Sequence, residues 1–388
     1  MKDFQIPTYS LRQLVLYALK LGTIGFGGPV ALVGYMYRDL VEQRQWISRE
    51  DYKDGLALAQ LAPGPLAAQL SIYLGYVHYR ILGASLVGLA FILPSFFMVV
   101  ILGWLYKLYG GLSWMQAIFY GVGASIIGII AMSAYKLTIK TIGKNRILWG
   151  IYLVSTIYTA ITETEQVVLI LLGGMIVWLK ENPPKSLKSK SAKLMEFFAM
   201  PVGIGSTVIA SNQGILWKIF VFFAKAGAFV FGSGLAIVPF LYGGVVKEYH
   251  WLSDRQFLDA VAVAMITPGP VVITVGFIGF LVNGFSGACI AALGTFLPCY
   301  LFTVIPAPYF KKYGKIPAIA SFVNGVTAAA IGTITGAVFV LGRKSITDFP
   351  TALLALITIA ILMRTKRIPE PLIIFISALI GLLLKFKT

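Results

Sequence analysis

Residues 46–65 read WISREDYKDGLALAQLAPGP, and residues 251–270 read WLSDRQFLDAVAVAMITPGP. The two stretches align without a gap and are identical at eight of twenty positions, which marks an internal repeat. The correspondence extends both ways. Lys20 matches Lys225, and Phe26-Gly27-Gly28-Pro29 matches Phe231-Gly232-Ser233-Gly234. After a one-residue gap Phe91-Ile92-Leu93-Pro94 matches Thr295-Phe296-Leu297-Pro298, and later Gly121-Val122 and Gly128 match Gly325-Val326 and Gly332. Two copies of one unit therefore fill nearly the whole chain.

Composition says what surrounds them. Of 388 residues 58% are hydrophobic and only 12% charged, about half the charged share of a soluble protein. Mean hydropathy is +0.84. A water-soluble fold of this size would expose large apolar patches, so the solvent must be lipid. A span takes roughly 20 apolar residues. Apolar runs fall at 11–34, 55–77, 81–106, 112–135, 147–161 and 166–179, then at 215–246, 257–282, 285–309, 316–342, 350–363 and 371–384. Several are short for a full crossing, which leaves tilted, broken or re-entrant segments open. The reading is an all-α polytopic membrane protein with about 12–13 membrane segments, some of them discontinuous. Its parts are an N-terminal repeat over 1–180, a basic linker with a weakly apolar extra segment over 181–213, and a C-terminal repeat over 214–388. The polar first ten residues and the long first apolar run give no sign of a cleavable signal peptide.

Loop charge bears on orientation. The turn Thr162-Glu163-Thr164-Glu165 is acidic, while its counterpart Arg364-Thr365-Lys366-Arg367 is basic. Lys107 stands alone where the second copy has Lys311, Lys312 and Lys315. Basic connections stay in the cytoplasm, so the copies are expected to face opposite ways, against the pull of Arg343-Lys344. Inversion needs an odd number of crossings before the second copy begins. Residues 195–212 could supply one, and a re-entrant first segment would serve equally well. The net charge of +17 is read as this loop bias plus contact with anionic lipid, not as nucleic-acid binding.

Four interruptions carry the chemistry. Gly27-Gly28-Pro29 and Pro63-Gly64-Pro65 break the first two apolar runs, and Gly232-Ser233-Gly234 and Pro268-Gly269-Pro270 break their counterparts. Proline removes a backbone donor and stops a helix. A helix restarting inside a bilayer leaves N–H groups unpaired, here at Leu66, Ala67 and Ala68 and at Val271, Val272 and Ile273. With the positive end of the helix dipole they suit an anion. Paired broken helices in inverted repeats point to a transporter's substrate site; a plain kink or close glycine packing is the structural alternative. Lys20 and Lys225 lie deep in matched apolar runs, where an ammonium needs a partner, a cavity or a snorkelling route. Gln60, Gln69, Ser233, Thr267 and Thr274 add neutral hydrogen-bonding groups near the breaks, or else join helices. Asp54 and Asp259 recur at matched positions as proton-coupling candidates, although a first-turn acid favouring the helix dipole fits them too. Ser48-x-x-Asp51 and Ser253-x-x-Gln256 fit capping boxes, and Trp46 and Trp251 fit interface anchors.

His78 and His250 have no metal-ligand spacing, and Cys289 and Cys299 would stand about 15 Å apart on one helix, too far for a disulfide. No protease, hydrolase or nucleotide-binding motif occurs. Neither a metal, a cofactor nor catalysis is expected.

The Phe26-Gly27-Gly28-Pro29 run, the Trp46-x-Ser48 stretch leading to Pro63-Gly64-Pro65, and the repeated Trp251 to Pro268-Gly269-Pro270 resemble the chromate ion transporter family in its long, two-repeat form. The resemblance spans both halves. It implies an inner-membrane secondary transporter that exports chromate, with sulfate as the similar oxyanion. Ser233-Gly234 stands where the first copy has Gly28-Pro29, a departure from equal roles for the two sites. An anion channel and a membrane-embedded enzyme acting on lipid-linked substrate are the alternatives. The expected partners are an inorganic oxyanion and membrane lipid; a homodimer is compatible.

Overall fold

The computed structural model describes residues 9–26, 28–110, 112–163, 167–182, 214–229, 234, 237–313, 317–365, 368 and 370–385. All secondary structure among them is helical. The first repeat comprises α1 (Leu11–Ile24), α2 (Gly28–Met36) continued by a π-helical stretch (Tyr37–Gln43), α3 (Arg49–Leu61), α4 (Leu66–Tyr109), α5 (Ser113–Ile142), α6 (Arg146–Thr162) and α7 (Val167–Glu181). The second comprises α8 (Ile215–Phe229), α9 (Ile237–Tyr242) with a π-helical stretch (Gly243–Glu248), α10 (Asp254–Ile266), a 3₁₀ turn (Val271–Ile273) leading into α11 (Thr274–Val304), α12 (Ala307–Tyr313), α13 (Pro317–Ser345), α14 (Phe349–Arg364) and α15 (Glu370–Lys385). The order is duplicated, with the 3₁₀ turn, α11 and α12 together answering to α4. Even the π-helical stretches recur.

The expected starts hold. Ser253 and Gln256 form the expected reciprocal capping box, whereas at Ser48 only half of one forms: its hydroxyl accepts from the Asp51 backbone N–H, and the Asp51 carboxylate accepts from that hydroxyl instead of from the Ser48 N–H. The expected stops hold too, at Gly25, Ala62 and Thr267.

The direction the chain takes after each stop decides the fold. A β-carbon placed on Gly55 in α3 would come within 2.3 Å of the Tyr73 ring in α4. In a helix merely kinked at Pro63-Gly64-Pro65 these residues would lie about 25 Å apart. The chain therefore turns back at the proline pair, and α3 with the first part of α4 is a re-entrant hairpin. A second reversal interrupts α4 at Arg80 (φ 52°, ψ −140°). There a β-carbon on Gly75 would approach the Gly83 carbonyl oxygen to 2.4 Å, so 66–79 folds back along 81–109. Only hydrogen in place of a side chain admits two backbones that close. The second repeat does the same at Asn283-Gly284, with Gly279 against Gly287 at the same 2.4 Å. The twelve apolar runs are thus of different kinds: half-length re-entrant helices, long crossings, and shorter helices packed on those. Among the described residues four helical stretches are long and apolar enough by composition to cross a membrane, Leu66–Tyr109, Ser113–Ile142, Val271–Phe310 and Pro317–Ser345, and in the first and third the arm after the reversal makes the crossing.

The repeats are inverted. Ser85, just after the α4 reversal, hydrogen-bonds at 2.7 Å with Tyr300, near the end of α11. The long arms of α4 and α11 are therefore antiparallel. At one end of the bundle Tyr9 stacks on Trp46, bonds His78 at 2.7 Å, and accepts from the Tyr79 hydroxyl. The hairpin of α3 and the first part of α4 opens there. The second repeat opens at the other end, where Tyr242 donates to Asp254 (2.6 Å), Lys344 reaches Asp254 (3.5 Å) and Lys247 pairs with Glu163. That contact to Asp254 offsets one charge of Arg343-Lys344, the cluster that ran against inversion. The repeats also exchange their last helices: α6 and α7 pack on α13, while α14 and α15 pack on α5. Residues 195–212, one of the two candidates for the odd crossing, lie outside the described residues.

Candidate functional site

Each hairpin tip meets the crossing helix of the other repeat inside the bundle. Ser95 lies midway along the arm 81–109, and a β-carbon on Gly269 would sit 2.0 Å from its hydroxyl oxygen. Reciprocally, one on Gly64 would sit 3.0 Å from the Cys299 sulfur, at the equivalent place on α11. Each repeat's Pro-Gly-Pro tip thus abuts the other repeat's crossing helix. Gly64 (φ 140°) and Gly269 (φ 98°) both adopt backbone angles closed to other residues. The Gly269 N–H donates to the Gly25 carbonyl at 3.0 Å, tying the second tip to the break after α1. Gly234 lies against Val271 and Val272, so the two breaks of the second repeat are neighbours as well.

The tips differ. In the first, α4 starts on Pro65 with no side-chain cap. Ala67, Ala68 and Gln69 are buried there. The Gln69 Nε2 donates to the Pro63 carbonyl at 2.7 Å, which fixes the orientation of its amide. Its Oε1 has no hydrogen-bond partner, and the side chain is 0% exposed. An orphaned buried acceptor costs about 1–3 kcal/mol, so the first tip is built to take a donor. In the second tip the equivalent Thr274 hydroxyl is satisfied by Val271 O (2.7 Å). Ile273, expected to offer a free N–H, donates it to Pro270 at 2.9 Å. The tight 3₁₀ turn that replaces the first α-helical turn here closes that bond, which corrects the reading of equal donors at both tips. Thr267 is likewise turned back on its own helix, to Val263 O.

The other candidates scatter. Gly28 (φ 72°) opens α2 with Pro29 behind it. Gln60 is exposed on the last turn of α3. Lys20 and Lys225 occupy equivalent exposed positions on α1 and α8; Lys20 shares its face with exposed Leu16, Leu19 and Ile24. Asp54 is half-buried on α3, whereas Asp259 on α10 is buried and accepts a 2.7 Å hydrogen bond from the Tyr106 hydroxyl. Gly27, Gly232 and Ser233 lie outside the described residues. Sequence reasoning missed the partners the other repeat brings, Ser95, Cys299 and Tyr106. Their only signal was the matched position of Ser95 and Cys299 beside Pro94 and Pro298.

Below the first break lies an apolar cavity of about 390 Å³, whose walls include Phe26, Tyr106, Val263 and Ile266. Among the described residues no group of His, Cys, Asp and Glu side chains could hold a metal ion. Both cysteines are free thiols.

Comparison with known proteins agrees with this architecture. The chromate transporter family matches twice, over residues 12–178 and 217–382. A chromate transport protein of Cupriavidus metallidurans is 68% identical over 377 residues, covering 97% of this chain and 94% of that protein. A probable chromate transport protein of Synechococcus elongatus is 63% identical over 97% of this chain and 96% of its own length. A chromate transport protein of Pseudomonas aeruginosa is 30% identical over 84% and 80% respectively. No solved structure matches. Two matches in tandem on two inverted, hairpin-bearing repeats leave one assignment: the chain is a multi-pass membrane protein belonging to the chromate transporter family.

Proposed function

We propose that this chain is a secondary active transporter that exports chromate, and the similarly shaped sulfate, across the cytoplasmic membrane by alternating access. It performs no catalysis on its cargo. The observation that carries the reading is the first hairpin tip: an uncapped helix N-terminus inside the bundle, beside which the Gln69 amide covers the Pro63 carbonyl. Helix N-termini favour anions without the strong grip of a full countercharge. The amide of Gln69 occupies the Pro63 carbonyl, which would otherwise face an anion with its lone pairs. Its own free oxygen suits a bound water or the proton of a protonated oxyanion. The contact of each tip with the opposite repeat's crossing helix gives the rocking of one repeat on the other a direct route to the site.

Lys20 and Lys225, on exposed faces near the breaks, contribute positive potential from a distance instead of ligating the anion. The end bearing Arg44, Arg80, Lys140, Lys144, Arg146 and Lys180 is the cytoplasmic one by the positive-inside rule. At the other end Lys247 and Lys344 face Glu163 and Asp254.

The test is flux of radiolabelled chromate and sulfate in proteoliposomes with and without an imposed pH gradient. Accumulation above the external concentration supports the transporter reading. Rapid equilibration without accumulation under any gradient would make the protein an anion channel and overturn it.

A further inference from the structure

The two matched acids, Asp54 and Asp259, have different surroundings. Asp259 is 5% exposed, buried on α10 between the repeats, and its Oδ2 accepts from the Tyr106 hydroxyl of α4 at 2.7 Å. The groups acting on it electrostatically are Tyr106 and Arg255, one helical turn nearer the end of the bundle. The position corresponding to Tyr106 in the second repeat, one before Lys311 as Tyr106 is one before Lys107, holds Phe310. Phe310 has no hydroxyl, so the repeat cannot form the same pair with Asp54. Tyr106 also lines the 390 Å³ cavity that touches Phe26 at the first-repeat break and Ile266 just before the second tip. A buried carboxylate in a membrane bundle is costly and is kept where it does work.

We infer that Asp259 is the single proton-coupling carboxylate of the transporter and that Tyr106 is its positioning residue, the two forming a latch between the repeats. This deepens the oxyanion-transport reading and rests on it. With the carboxylate ionised, the Tyr106 hydroxyl donates to it and α10 is held against the long arm of α4. A proton from the water on the side of Asp254 adds to a carboxylate oxygen, forms an O–H bond, and removes the charge that made the phenol a strong partner. The repeats part. The same proton leaves to water on the opposite side once the latch has moved, and no electrons are transferred. Because Asp259 lies on the hairpin that opens at the Asp254 end, protons enter from outside while the oxyanion leaves, which is antiport.

The experiment is uptake of radiolabelled chromate into proteoliposomes with an inside-acid gradient, beside chromate–chromate counterflow with no gradient. Wild-type protein should accumulate chromate at least fivefold more with the gradient than without. Asp259→Asn should give equal uptake in both conditions yet retain counterflow, which also shows that it folds and binds. Tyr106→Phe should stay coupled, with the pH profile of gradient-driven uptake moved to higher pH, a shift that lost packing alone would not produce. Should Asp259→Asn fail to fold, the Tyr106→Phe profile decides: an unmoved profile overturns the inference. Gradient-driven accumulation by Asp259→Asn, or uncoupling by Asp54→Asn in its place, would also overturn it. So would wild-type uptake indifferent to the gradient. Absence of any wild-type chromate uptake would sink the oxyanion reading and this inference with it.

Discussion

Gly55 on α3 lies directly against the ring of Tyr73 on α4, close enough that a β-carbon would sit 2.3 Å from the ring. That single contact turns a broken helix into a re-entrant hairpin, and it places the Pro-Gly-Pro tip inside the bundle. Replacing Gly55 by Val should wedge the hairpin open and displace the tip. Overpacking of this kind costs about 1–3 kcal/mol. Chromate flux should fall at least tenfold and the melting temperature in detergent should drop, measured by proteoliposome uptake and by fluorescence-detected thermal unfolding.

Inversion makes a labelling prediction. In a variant lacking Cys289 and Cys299, single cysteines at Lys144 and at Lys247 mark opposite ends of the bundle. A membrane-impermeant maleimide applied to intact cells should label the Lys247 position and spare Lys144, and everted vesicles should reverse the pattern. Labelling of both from one side would remove the inverted arrangement.

Asp348 caps α14 and accepts a 2.5 Å hydrogen bond from Tyr120 on α5. That phenol, with the Thr351 backbone N–H and hydroxyl and nearby Lys385, holds its carboxyl below the usual range. A carboxylate with a lowered folded-state pKa contributes stability that is complete above the unfolded value and is lost as pH falls through the folded one. Asp348→Ala should therefore lower thermal stability near neutral pH, by about 1 kcal/mol for a lost cap. The gap between variant and wild type should narrow progressively in acid. Thermal unfolding across pH 3–8, a range set by the ordinary carboxylate pKa of about 3.9, would follow it.

Lys20 and Lys225 are exposed, so their action on an anion at the tips is long-range and open to screening. The double variant Lys20→Ala/Lys225→Ala should raise KM for chromate no more than about tenfold, a difference of roughly 1.4 kcal/mol. It should leave the maximal rate unchanged, and its defect should shrink as ionic strength rises. Initial-rate uptake at low and high salt measures both. A defect indifferent to salt would make the lysines direct ligands.

Much of this architecture was legible in the sequence because it was written twice. The Trp46 and Trp251 stretches, the capping serines and the two Pro-Gly-Pro breaks each announce themselves through local chemistry, and each is where it was expected. A break, however, states only that a helix stops. Its exit angle is fixed by contacts such as Gly55 with Tyr73, between residues that local patterning treats as unrelated. The reversal at Arg80 showed only as the polar gap between the apolar runs 55–77 and 81–106, with no turn residue to mark it, since arginine is a good helix former, whereas Asn283-Gly284 carried a recognisable turn pair. The inequality of the tips was likewise invisible, because it depends on one repeat keeping an amide at Gln69 where the other has a hydroxyl at Thr274. The Tyr106–Asp259 pair lies between repeats, and no spacing along one chain encodes it.

The first tip is the place where the oxyanion is proposed to rest, and the transport mechanism depends on it. Equilibrium binding of radiolabelled chromate to purified protein, wild type beside Gln69→Leu, tests this most directly. Leucine fills a similar volume, removes the free oxygen, and leaves the Pro63 carbonyl bare beside the helix N-terminus. Binding weakened about tenfold or more, in protein whose thermal unfolding is otherwise near normal, is the predicted result. Unchanged chromate affinity in the well-folded variant would contradict it.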